Sequence, residues 1–200
     1  EAVYDARAGL NPEQQRLAWL YWNRFVRAGA KLPAASKARI AEINQALAGH
    51  FTTFNQNLLA DETDYVLYLS TEAELSGLPE DVRAAAAAAA AEEGQKGKWA
   101  ILNTRSSMDP FLTYSTRRDL REKVWRTYYS RGDNGDAHDN NETIKKILKR
   151  RAERAKLLGY PTHAHWRLGD AMAKTPENAM DLMMRVWPSA IARVREEVAE

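Results

Sequence analysis

Residues 98–125 read KWAILNTRSSMDPFLTYSTRRDLREKVW, residues 132–142 read GDNGDAHDNNE, and residues 151–176 read RAERAKLLGYPTHAHWRLGDAMAKTP. This run decides the fold class. Thr116 and Asp119 stand at capping-box spacing, with Asp in place of the usual Glu. The helix they open carries Leu120, Val124, Trp125 and Tyr128 on one face and ends near Gly132. Gly, Asp and Asn then crowd residues 132–142, the composition of a turn-rich loop. A helix over Asn141 to Leu158 follows, closed by Gly159, and a shorter one runs from Pro161-Thr162 through Leu168. Thr175, Pro176 and Glu177 supply an N-cap, a first-turn proline and a first-turn acid for a long last helix. Pro188 inside it predicts a kink or break near Val186.

The same reading extends toward the start of the chain. Asn11, Pro12 and Glu13 open a helix whose Leu17, Leu20, Tyr21, Trp22, Phe25 and Val26 make a broad apolar face, and Gly29 ends it. A second helix begins near Pro33, with Ile40, Ile43, Leu47, Phe51, Phe54 and Leu58 spaced three and four apart. Residues 10–62 are therefore expected as a helical hairpin. Tyr65 to Leu69 is rich in aromatic and branched residues and reads as a short strand, as does Trp99 to Leu102. Thr71 to Gly77 reads as a turn or one helical turn. Between the strands, Pro79 and Glu80 open a helix through the alanine run to Glu93. Residues 63–104 form a strand–helix–strand insert whose strands pair as a small ribbon, and 115–200 a helical bundle. The fold class is mainly α, a single helical lobe over 1–200 with a small two-stranded β element.

Composition excludes several classes. The balance of 29 Lys and Arg against 27 Asp and Glu gives little steering toward a polyanion, so nucleic acid is not an expected partner. No cysteine is present, which removes disulfides and thiolate metal sites. The longest apolar run, Ala84 to Ala91, falls far short of the roughly 20 residues that span a bilayer, so no membrane partner is expected. Both ends read as cut, since the chain opens on Glu1 and stops within a strong helix pattern.

A zinc helix needs two histidines at i,i+4 with a Glu between them. His163 and His165 are two apart and point to different sides of a helix; they read as packing and capping beside Trp166. His50 and His138 stand alone. The Asp133 to Glu142 loop suggests calcium, but from Asp133 the third and fifth positions are Gly135 and Ala137, so the EF-hand register fails. The basic strings Arg117-Arg118 and Lys145 to Arg151 alternate with Asp119, Glu122 and Glu153 and read as solvated faces.

Several segments carry a resemblance in order: residues 10–32 (LNPEQQRLAWLYWNRFVRAGAKL), 41–62 (AEINQALAGHFTTFNQNLLADE), 118–141 (RDLREKVWRTYYSRGDNGDAHDNN), 151–168 and 171–180 (AMAKTPENAM). Together they resemble the amino-terminal half of the thimet-oligopeptidase (M3) zinc metallopeptidases, in the peptidyl-dipeptidase branch. The resemblance implies a helical shell around a narrow cleft for short peptides, and a zinc ion on a His-Glu-x-x-His helix. That motif does not occur here. The chain is thus expected to form part of the cleft wall and to be inactive alone, with zinc in the parent enzyme and none bound by this chain. No residue is assigned as catalytic or as a metal ligand, and substrate-binding residues are unassigned. The expected partners are short peptides, through the parent enzyme, and the catalytic half of the same polypeptide. Self-association is expected through an apolar stripe of Met180, Met183, Met184, Trp187, Ile191 and Val194. A cytoplasmic location is expected, with the periplasm as the alternative. The alternative function is a stand-alone, non-enzymatic helical interaction domain.

Overall fold

A computed structural model describes all 200 residues. It contains nine α-helices: α1 (Ala2–Asp5), α2 (Pro12–Arg27), α3 (Ala34–Asp64), α4 (Glu80–Glu92), α5 (Arg105–Tyr114), α6 (Arg118–Tyr129), α7 (Asn141–Leu157), α8 (His163–Leu168) and α9 (Pro176–Ala199). The strands β1 (Leu67–Leu69) and β2 (Trp99–Ile101) form one antiparallel pair with Leu67 opposite Ile101 and Leu69 opposite Trp99. The mainly α reading and the small β element hold. The chain divides into two compact units, Ala48–Ile147 and a unit built from Glu1–Leu47 with Leu148–Glu200.

In the unit of residues 48–147, the core gathers Leu69, Leu75, Leu78, Ala86, Ile101, Met108, Phe111 and Val124. Side chains two apart on a strand share a face, so Leu67 and Leu69 both reach this core, joined by Trp99 and Ile101 from the partner strand. The Glu74 carboxylate accepts from the Thr71 N–H at 2.9 Å and the Thr71 hydroxyl at 3.0 Å, closing a short 3-10 turn over Glu72–Leu75, and Leu75 is fully buried there. The alanine run of α4 has a use beyond helix propensity. Ala86 and Ala90 are buried, with Val82 packed one turn earlier, and their small side chains let α4 lie on β2.

The sequence reading gave no element to residues 105–114. The structure makes them α5, with Phe111 at 0% exposure. Pro110 and the Ser106-Ser107 pair hide this helix from a propensity argument. Two expectations for α6 are corrected. Its N-cap is Arg117, and Thr116 does not cap; the Thr116 hydroxyl instead donates to Ser76 Oγ at 2.7 Å. Trp125 is not on the inner face. It is 49% exposed and lies against Tyr129, ring centroids 5.3 Å apart, while Leu120, Val124 and Tyr128 face the core.

In the other unit, α2 begins with a full capping box, the Asn11 side chain accepting from Gln14 N and Gln14 Oε1 accepting from Asn11 N. It ends in a Schellman closure: Ala30 N–H donates to Phe25 O and Gly29 N–H to Val26 O. The closure needs a left-handed residue, and Gly29 sits at φ 101°. A Cβ there would lie 3.0 Å from Leu32 Cδ1 and 3.4 Å from Ile40 Cδ1 and Leu158 Cδ2, so glycine also permits close packing. The α7 terminus repeats the closure at Gly159. Ile40, Ile43, Leu47 and Ala155 are the buried apolar residues. Around them Arg39 pairs with Glu153 at 2.7 Å, and Arg154 donates to Asn44 Oδ1 at 2.9 Å.

Two apolar faces of this unit are not buried. Leu17, Tyr21 and Phe25 on α2 are exposed, and so are Met180, Met183, Met184, Trp187 and Val194 on α9, Trp187 at 58%. Of the kink or break expected near Val186, the break is absent: α9 runs continuously through Pro188. A proline removes one intrahelical bond, and the turns on either side, with the Thr175 cap at the start, hold the helix together.

Candidate functional site

The densest polar chemistry lies in the unit of residues 48–147, where the 132–140 loop meets the end of α3. The loop neck is closed by one backbone bond, Asn140 N–H to Gly132 O at 2.7 Å. Asn140 is buried; its side chain accepts from Asn57 Nδ2 at 3.0 Å and donates to Phe54 O at 3.1 Å. Gly132 sits at φ 71°, and a Cβ there would lie 2.9 Å from Asn140 Nδ2.

Beneath the loop lies Asp61, at 0% exposure. Its Oδ2 accepts from Gly132 N–H at 2.6 Å and from Asn134 Nδ2 at 3.0 Å. Its Oδ1 is buried and has no hydrogen-bond partner. His138 Nδ1 stands 4.0 Å from that oxygen and 3.6 Å from Asp64 Oδ2. Asp136 completes the group. Tyr65 donates to its Oδ2 at 2.8 Å, and the His138 backbone N–H donates to its Oδ1 at 2.8 Å. The Tyr65 hydroxyl, then the His138 N–H, hold the Asp136 carboxyl below its ordinary range, and that carboxylate pushes the Tyr65 phenol up. One ligand atom each from Asp61, Asp136 and His138 lies within 4.8 Å of the others.

The remaining acids of the loop are spent on turns. Asp139 accepts from the N–H groups of Asn141 and Gly135, and Asp133 accepts from Asn141 Nδ2. Asp61 was not singled out by sequence reading, and His138 was read as standing alone. Their meeting depends on residues 77 positions apart, which no local spacing rule reports.

The other two candidate histidines lie on α8, in the other unit. Thr162 caps α8 by accepting from His165 N, and its hydroxyl lies 2.8 Å from His165 Nδ1. His163 tilts against Trp166, ring centroids 5.4 Å apart. Burial first, and then Arg151, Arg154 and Arg167, push the His163 imidazole below its ordinary value. Trp166 Nε1–H donates to Arg27 O at 3.1 Å, Arg27 donates back to Trp166 O, and Arg27 pairs with Asp170 at 3.2 Å. His50 lies on α3.

A catalytic zinc of the His-Glu-x-x-His kind does not fit the residues of this chain. The motif is absent, and the one close histidine pair is divided between Thr162 and Trp166.

The family model for Peptidase family M3 matches residues 111–200. The chain is 38% identical to the dipeptidyl carboxypeptidase of Escherichia coli K12 over its whole length, and 36% identical to that of Salmonella typhimurium LT2, again over its whole length. It is 31% identical to oligopeptidase A of the same Salmonella strain over 98% of the chain. The chain belongs to peptidase family M3. Within the family, its similarity to the dipeptidyl carboxypeptidases runs end to end and places it in that branch. It spans about 30% of the length of these curated relatives.

Proposed function

We propose that this chain is part of the helical shell of a zinc-dependent peptidyl-dipeptidase, walling a cleft that admits short peptides, and that it is inactive alone. The observation carrying this reading is 38% identity to a dipeptidyl carboxypeptidase across 100% of the chain. Two physical features support it. The His-Glu-x-x-His donor set is absent, so the chain lacks the centre on which the family activates water for attack on a peptide carbonyl; in the parent enzyme a zinc ion supplies that activation. The apolar faces of α2 and α9 stand open to solvent, and the rest of such a polypeptide is the natural cover for them. The contribution of the chain is then shape and support. Arg27 with Trp166, and the Gly29 closure, fix helix ends from which a cleft wall is built. No helix of the chain is long and apolar enough to cross a membrane.

The test has two arms. The purified chain is incubated with a blocked tetrapeptide, with and without zinc; no turnover is expected, and chelator-sensitive turnover that survives repurification overturns the inactivity. In the second arm the chain replaces its matching region in the Escherichia coli dipeptidyl carboxypeptidase. A chimera that folds and hydrolyses peptides supports the shell role, and a folded, inert chimera counts against it.

A further inference from the structure

We propose that Asp61, Asp136 and His138 bind one divalent transition-metal ion of the zinc class, clamping the 132–140 loop onto the end of α3. The argument begins with Asp61. A carboxylate withdrawn from water is costly unless each oxygen is matched. One oxygen is matched, by Gly132 N–H and Asn134 Nδ2, and these two bonds fix the rotation of the group. The other, Oδ1, is buried and unmatched and faces the imidazole at 4.0 Å, too far for a hydrogen bond. Two ligands each about 2.1 Å from one zinc ion stand at most about 4.2 Å apart. The Asp61–His138 separation falls inside that limit. All three ligand atoms lie within 4.8 Å of one another, and the exposed Asp136 carboxylate is free to adjust on binding.

The surroundings orient the ligands. Tyr65 O–H and the His138 N–H each hold one Asp136 oxygen, leaving a lone pair on each for a cation. Asp64 Oδ2, 3.6 Å from His138 Nδ1, provides a further carboxylate beside the site. One imidazole nitrogen among carboxylates suits zinc and its neighbours; calcium and magnesium take oxygen ligands. The site needs nothing outside this chain, so its test is separate from the peptidase reading.

The chain, stripped with a chelator, is titrated with zinc by calorimetry and with cobalt(II) by visible absorption. One saturable equivalent is expected, together with a cobalt d–d spectrum showing nitrogen and oxygen ligation and a raised melting temperature. His138→Gln and Asp136→Asn alter exposed or half-exposed side chains and leave the metal-free melt close to that of the parent chain. Each is expected to weaken zinc roughly tenfold or more and to abolish the melting shift. Asp61→Asn serves as a third variant, read only if its circular dichroism matches. Absence of a saturable equivalent overturns the proposal. Binding that survives His138→Gln and Asp136→Asn, or that is lost in a His163→Gln/His165→Gln variant, overturns it equally.

Discussion

Asp61 Oδ2 receives the Gly132 N–H at 2.6 Å, joining the end of α3 to a loop 71 residues further along the chain. The acceptor is a carboxylate, the donor is backbone, and both are buried. Asp61→Ala strands that N–H and the Asn134 amide, and is expected to cost about 1.5–3 kcal/mol, the range for hydrogen bonds to charged groups. Asp61→Asn keeps an acceptor oxygen and is expected to cost less. Urea unfolding of the three proteins checks the order; an Asp61→Ala midpoint equal to the parent's refutes it.

Gly132→Ala tests the loop neck from the other side. The residue sits at φ 71°, and the new Cβ meets Asn140 Nδ2 at 2.9 Å. Left-handed strain and the displaced amide together are expected to cost about 1–3 kcal/mol. Gly135→Ala has the same strain but open space around it, and is expected to cost less. Equal losses would assign the whole effect to backbone strain.

Phe111 and Trp125 give a paired contrast. Phe111→Ala empties a fully buried position and is expected to cost about 3–5 kcal/mol. Trp125→Ala removes a larger ring from a half-exposed position and is expected to cost about 1 kcal/mol or less. Denaturant midpoints decide it, and a reversed order would return Trp125 to the core.

His163 predicts a pH limb. Its imidazole is held below its ordinary value of 6.5 by burial and by Arg151, Arg154 and Arg167. The unfolded chain therefore binds the proton more readily than the folded one. Its contribution to stability is fully present above about pH 6.5 and is lost progressively as pH falls toward the folded value. His163→Gln is expected to flatten this part of the stability–pH curve. An unchanged slope below pH 6.5 in the variant places the titration elsewhere.

The stripe on α9 predicts association. Met183 and Trp187 are both more than half exposed and lie one turn apart. The isolated chain is expected to form dimers or larger species as concentration rises, and Met183→Lys/Trp187→Lys to remain monomeric. Sedimentation velocity over a concentration series checks both; a wild-type chain that stays monomeric throughout removes the support that the open face lends to the shell reading.

Most helices were legible because their signals are local. Asn11 with Pro12, Gly29, Gly159 and Thr175 with Pro176 mark ends through backbone geometry within a few residues. The ribbon was legible from the change of hydrophobic period at Tyr65 and Trp99. Where reading failed, a distant partner had won. Thr116 has capping-box spacing, yet its hydroxyl goes to Ser76, 40 residues earlier. Trp125 has a core-like position in the helix repeat, but its ring leans on Tyr129. The polar group at Asp61, Asp136 and His138 was illegible for the same reason, since each member is ordinary in its own segment.

The ribbon of β1 and β2 has only three residue pairs, too few to persist alone. It survives because Leu69, Ile101 and the α4 alanines close around it, with Phe111 in the same cluster. Its cross-strand amides therefore exchange with solvent when that cluster opens. Deuterium uptake along β1 and β2 becomes a gauge of cooperative opening in the unit of residues 48–147, read from the backbone without any substitution.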